Sequence, residues 1–229
     1  IVESGSEEIT SIADLKGKTI YASGQGSTPE FALNYLLQQN GISDDVTIEW
    51  KAEHAECVTA ITENGGIAML PQPFVTTAMM KNEGLRVALD LTEEWNKLDN
   101  GSSLLTGVVI GRKEFIDAYP GSVSDFLDSY AASVEFVNSD TDAAAALVGK
   151  YDIVPEVVAK KALPACNITF IRGEEMKEKL SGYLEVLFNS LASSVGGKLP
   201  GDDFYYVGKG IITKHKQPPQ AQPVCGGNF

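Results

Sequence analysis

Basic residues, cysteine and histidine are all scarce in this chain, and each shortage excludes something. Lys and Arg number 18 against 31 Asp and Glu, a formal net charge of −13. A nucleic-acid partner requires a basic face, as does adsorption to an anionic membrane surface, so the balance argues against both. Only three cysteines are present, Cys57, Cys166 and Cys225, and none belongs to a C-x-x-C pair. The histidines are His54 and His215. This inventory argues against a Cys/His zinc site and against a disulfide framework. No apolar run approaches the roughly 20 residues that span a bilayer. A signal-peptide pattern is also missing, and the first residue is Ile1 rather than Met, so the 229 residues are expected to be a processed form or a fragment.

Catalytic signatures are missing as well. The sequence has no G-x-S-x-G elbow and no His beside a plausible Ser or Cys nucleophile. Gly24-Gln25-Gly26 is followed by neither the Lys-Ser/Thr of a phosphate loop nor the third glycine of a dinucleotide fingerprint. Asp44-Asp45 and Asp202-Asp203 sit in loops and read as turn formers. No catalytic residue, metal site or cofactor is expected.

What is present is an ordinary globular composition, 43% hydrophobic and 21% charged, sufficient for a core. Lys18 to Ser23 reads as a strand entering the turn Gly24-Gln25-Gly26-Ser27. A helix follows from about Pro29 to Gln39, capped by Thr28 or by a Ser27–Glu30 capping box, and stopped at Gly41. Strands are expected at Val46–Trp50, Ile67–Leu70, Leu85–Leu89 and Thr106–Ile110. Between them lie helices at Ala55–Asn64 and Phe74–Lys81 and a polar loop from Glu93 to Ser103. Such alternation predicts a largely parallel α/β sheet. Cys57, on the apolar face of its helix, reads as core packing.

Beyond Ile110 the pattern turns helical. Pro120 and Ser122 open a helix with Val123, Phe126, Leu127, Tyr130, Val134 and Val137 inward. Asp140–Lys150, Pro155–Leu163 and Glu174–Ser194 read as three more, the last with one apolar side from Met176 to Leu191. Three parts are expected: an α/β lobe over 1–110 with ligand-facing loops, helices of another lobe over 111–206, and a loosely ordered tail over 207–229. The tail is Pro- and Gln-rich, and His215 in it reads as a solvated side chain.

Several segments in this order resemble one family. They are Asp14-Leu15-Lys16-Gly17-Lys18 with Gly26-Ser27-Thr28-Pro29, then Ile67 to Phe74, then Thr106 to Lys113 with Phe115 and Tyr119-Pro120. Together they resemble the substrate-binding proteins of ABC importers, in the branch that takes up sulfonates, taurine, nitrate or thiamine precursors. The resemblance implies the type II periplasmic-binding fold, capture of a small polar or anionic solute, and delivery to permease subunits. It also implies export to the periplasm or to the outer face of the membrane on a lipid anchor. In that family most of the first lobe precedes the segment matched by Ile1, and the helices from Ser122 to Ser194 pack on its sheet. Lacking that sheet, the chain is expected to self-associate. Two rival readings are an enzyme like the family's self-consuming synthase of a thiamine pyrimidine precursor and a sensor ectodomain. The synthase needs a cysteine-rich motif, and here Cys57 stands alone.

The candidate ligand-binding residues are Gly26, Ser27, Thr28, His54, Gln72, Pro73 and Thr106. The turn before the first long helix offers free amides and the positive end of the helix dipole to an anion, or it is simply a capped αβ turn. His54 hydrogen-bonds a ligand, or it caps its helix or faces water. Gln72 offers an uncharged donor and acceptor, or it is a surface turn residue. The Gly24–Thr28, Glu53–Glu56 and Pro71–Pro73 loops should converge, because ligands of open α/β sheets gather at the carboxyl ends of the strands.

Overall fold

The computed structural model describes residues 1–208. The expected tail is described only at Val207 and Gly208, and His215 and Cys225 lie outside the described residues.

The sheet has five strands in the order β3-β2-β4-β1-β5. They are β1 (Val2–Ser4), β2 (Thr19–Ser23), β3 (Thr47–Lys51), β4 (Gly66–Ala68) and β5 (Leu85–Val87). β2 pairs in parallel with both β3 and β4. β1 lies antiparallel between β4 and β5, with Glu3 opposite Ile67 on one side and Arg86 on the other. The sheet is therefore mixed, and β1 was not foreseen. Three residues show no periodicity, and their pairing is to segments more than sixty residues away.

Side chains alternate across the sheet, as the pleat requires. Ile20 and Ala22 of β2, with Ile67 and Met69, enter one cluster with Leu33, Leu36 and Leu37 of α1 (Thr28–Gln39). Tyr21, Ala68 and Leu70 face the other cluster, with Val58 and Ile61 of α2 (His54–Asn64) and Val75 and Ala78 of α3 (Phe74–Lys81). Cys57 is fully buried in that second layer, as core packing requires. Burying each of these large aliphatic side chains contributes roughly 1.5–3 kcal/mol.

The loop expected over Glu93–Ser103 contains part of a short helix, α4 (Leu91–Asn96). Its N-cap is Asp90, whose carboxylate accepts from the Thr92 and Glu93 amides. Trp95 carries α4 into the first layer, where it is 1% exposed and packs against Tyr35 with tilted rings and against Tyr183 edge-on.

The strand expected at Thr106–Ile110 is not formed. That segment has no ladder partner among the described residues, and Val108, Val109 and Ile110 are 59%, 54% and 84% exposed. After it come α5 (Lys113–Ala118), α6 (Pro120–Ser139), α7 (Thr141–Lys150), α8 (Glu156–Ala162) and α9 (Gly173–Ser190). The helical character matches expectation; the inward faces do not. Val134 is the buried residue of α6 and Tyr183 that of α9, while Phe126 is half exposed. These faces border a groove of about 500 Å³ between α6, α9 and the extended segments at Leu105–Gly111 and Thr169–Arg172. An apolar helix face becomes core only where another layer covers it.

Candidate functional site

Strands β2, β3 and β4 are adjacent and parallel, so their carboxyl ends lie on one edge of the sheet. Each feeds a helix: β2 leads to α1, β3 to α2 and β4 to α3. Three helix N-termini therefore open at neighbouring positions. The first-turn amides of a helix have no intrahelical acceptor, and the dipole adds partial positive charge there.

At the first of these ends, the β2–α1 turn depends on two glycines. Gly24 has φ +85°, and a Cβ there would stand 2.9 Å from Pro29 Cγ. Gly26 has φ +78° and open space around it. Ser27 is the N-cap residue with extended backbone, but its hydroxyl turns back and donates to Gly24 O at 2.6 Å. Glu30 reaches past Ser27 and accepts from the Gly26 amide at 2.5 Å. Neither expected cap is therefore the one formed. Thr28 is the first residue of α1, half-buried, with its side chain beside the Tyr183 hydroxyl of α9. That hydroxyl is buried and makes no hydrogen bond of good geometry; burial pushes its phenol up and Thr28 offsets this in part. Pro29 has no N–H, so the open amides of this end are those of Thr28 and Glu30.

His54 opens α2, and its Nδ1 lies 2.5 Å from the hydroxyl of Ser23, the last residue of β2. Its ring packs on Phe74, the first residue of α3, with centroids 5.0 Å apart. One side chain thus ties all three strand ends together. The expectation that no His stands beside a plausible Ser or Cys nucleophile was read from neighbouring positions, and a serine does stand beside His54. The partners are 31 residues apart in sequence, and parallel pairing of β2 with β3 brings them together. The geometry is not that of a nucleophile, because Ser23 is 2% exposed and cannot meet a substrate. Lys51 ends β3 with its ammonium 5.3 Å from the Tyr21 ring centroid, and a hydrogen bond to Glu49 raises its pKa.

Gln72 caps the third end: its side-chain carbonyl accepts from the Thr76 hydroxyl at 2.8 Å and the Thr76 amide at 3.3 Å. Among the described residues its amide group has no partner. Pro73, after a cis Gln72–Pro73 bond, is the N-cap residue of α3. Gly26, Ser27, Thr28, His54, Gln72 and Pro73 thus share the strand-end edge. Thr106 does not join them through any described contact; it is exposed in the unpaired segment. Ser23 was missed in the sequence. Its signal was a polar residue closing an otherwise apolar strand, which is also how strands ordinarily end.

Residues 1–144 match the family described as NMT1/THI5 like. No curated protein sequence matches the chain. Among solved structures, an ABC transporter from Parabacteroides distasonis is 22% identical with a TM-score of 0.71, covering 89% of this chain and 68% of its own. The periplasmic aliphatic sulphonate binding protein SsuA from Escherichia coli is 17% identical with a TM-score of 0.68, covering 97% of this chain and 68% of its own. The alkanesulfonate-binding protein SsuA from Xanthomonas axonopodis pv. citri, bound to MOPS, is 14% identical with a TM-score of 0.56, covering 90% of this chain and 66% of its own. At these identities the likeness is one of fold: the chain has the α/β fold of the periplasmic binding proteins and spans about two thirds of their length.

Proposed function

The chain belongs to the NMT1/THI5-like family, and from that premise we propose that it is the solute-binding component of an ABC importer. It captures a small polar or anionic molecule and hands it to permease subunits. The observation that supports this most is the meeting of three helix N-termini, with His54 between them, at the carboxyl ends of adjacent parallel strands. Such an edge supplies amide donors and positive potential without a buried cation. Sulfonates are the first ligands to try, since two of the solved structures of this fold are named for them.

Capture without chemistry is part of the proposal. Cys57 is sealed in the core with its thiol pKa pushed up by burial, the opposite of an activated nucleophile. The proposal also places the protein outside the cytoplasm, in the periplasm or lipid-anchored at the membrane face, and assigns 1–110 to the ligand-facing α/β lobe, 111–206 to helices of the other lobe and 207–229 to a tail. The open groove between α6 and α9 supports self-association of the 229-residue chain.

A thermal-shift panel of alkanesulfonates, nitrate, carboxylates and pyrimidines tests the binding reading. A ligand at a hundred times its Kd stabilises the folded state by about 2.7 kcal/mol, a readily visible shift. Failure of the whole panel to move the melting temperature overturns the reading.

A further inference from the structure

Of the groups at the strand-end edge, His54 is the one held from inside the fold. Ser23 is 2% exposed and its hydroxyl lies 2.5 Å from His54 Nδ1. A hydroxyl buried this way must place its proton on an acceptor. Two candidates surround it. One is Nδ1. The other is the Cys57 sulfur, which lies beside the same hydroxyl and is a weak acceptor. Burial pushes the Cys57 thiol up, so it keeps its own proton at neutral pH. Nδ1 is the stronger acceptor and stands 2.5 Å from the hydroxyl, so the Ser23 proton goes to it. In neutral imidazole one nitrogen accepts and the other carries the proton, which puts the proton on Nε2. Among the described residues Nε2 has no hydrogen-bond partner, and it is not sealed from solvent. The Phe74 ring limits how far the imidazole can turn.

We propose that Ser23 is a positioning residue that holds His54 as the Nε2–H tautomer, and that this N–H is a specificity-determining donor to an oxygen of the ligand. The ligand class is then a small oxyanion, such as a carboxylate, sulfonate or nitrate group. An ammonium group brought to the same place meets the Nε2–H donor instead of an acceptor. The tautomer is a property of the free protein; the donor role rests on the binding reading given above.

The test is a pair of 1H–15N spectra of the full chain uniformly labelled with 15N, a long-range correlation for the imidazoles and a one-bond correlation for the amides, recorded at about pH 8, where an ordinary imidazole is neutral. The sequence has two histidines, so a His54→Gln sample assigns the signals. Nε2 is expected to be the protonated nitrogen and Nδ1 the bare one. Ser23→Ala should give a tautomer-averaged ring, and Ser23→Thr should restore the original pattern. A protonated Nδ1 in the unsubstituted chain overturns the proposal and needs no variant to fold. An unchanged spectrum in folded Ser23→Ala also overturns it. Ethanesulfonate then probes the donor role. Its addition should shift Nε2, and its affinity should fall roughly three- to tenfold in Ser23→Ala and in His54→Gln. Shifts confined to the amides of α1, with Nε2 unmoved, overturn that role. If ethanesulfonate, acetate and nitrate all leave every signal in place, the binding reading fails and the donor role with it, while the tautomer spectra still decide the positioning by Ser23.

Discussion

At the scale of single residues, Glu3 shows how this fold handles a buried charge. It is 2% exposed on β1, where burial alone would push its carboxyl pKa up. The Ser6 hydroxyl, the Glu8 and Ile9 amides and the Arg86 guanidinium outweigh that and hold it below the usual glutamate value. A carboxylate lowered on folding adds stability that is present above the unfolded pKa, about 4.3, and lost as pH falls through the lower folded value. Glu3→Gln should therefore cost roughly 1–3 kcal/mol at neutral pH and flatten the acid limb of the stability curve. Denaturant melts at neutral and acid pH measure both; an equally steep acid limb in the variant would assign that limb to other carboxylates. The two turn glycines separate strain from collision. Gly26→Ala should cost about 1–2 kcal/mol from its left-handed backbone alone. Gly24→Ala should cost more, because its Cβ also meets Pro29 at 2.9 Å. Equal chemical-denaturation midpoints for the two would refute that ranking.

Elements behave according to what covers them. α4 has six residues, too few to stand alone, and holds through the Asp90 cap at one end and Trp95 at the other. Asp90→Ala should cost about 0.5–2 kcal/mol, read from the melting midpoint. It should also perturb Trp95 fluorescence, since α4 carries that indole; Trp50 is the other tryptophan to be accounted for. α1 poses a different question, whether its N-terminus is a binding end or a plain helix start. Thr28→Ala removes a hydroxyl that faces Tyr183, so its effect divides between packing and ligand. Ser27→Ala removes one that donates to Gly24 O. On the binding reading, Thr28→Ala weakens ligand affinity about tenfold or more, with a smaller change in stability. Unchanged affinity in both variants, measured by titration calorimetry, would leave α1 as scaffold only.

For the whole molecule, the sheet layers and the helical half differ in how completely they are covered. Leu33, Leu36 and Ile61 are fully sealed against the sheet, whereas Phe126 and Ile110 border an open apolar groove. An exposed groove of this kind favours association, and the net charge of −13 opposes it by mutual repulsion. Sedimentation of the 229-residue chain should show association that grows with salt and concentration. Phe126→Glu should reverse it while costing no more than about 0.5 kcal/mol of stability, as befits a half-exposed site. A monomer at all concentrations and salts would remove the groove as a self-association surface.

Local patterns settle within one sequence window, and those were legible in the sequence. Pro29 near a helix start, Gly41 after its end, the period of Leu33, Leu36 and Leu37, and strand–turn–helix order around Ser23, Lys51 and Ala68 all depend on near neighbours. They were enough to place α1, α2 and α3 and to bring three loops to one sheet edge. Pairing between distant segments was beyond that reach. Val2–Ser4 becomes a strand only because Gly66–Ala68 and Leu85–Val87 flank it. Thr106–Ile110 has strand composition, but nothing among the described residues offers it a ladder. Phe126 and Tyr130 lie on an apolar face that sequence assigns to the interior and tertiary structure leaves half open. Ser23 and His54 each have a bland local reading, capped strand end and helix start. A hydrogen bond between residues 31 positions apart is set by the register of β2 against β3, and register is decided only when the whole sheet forms.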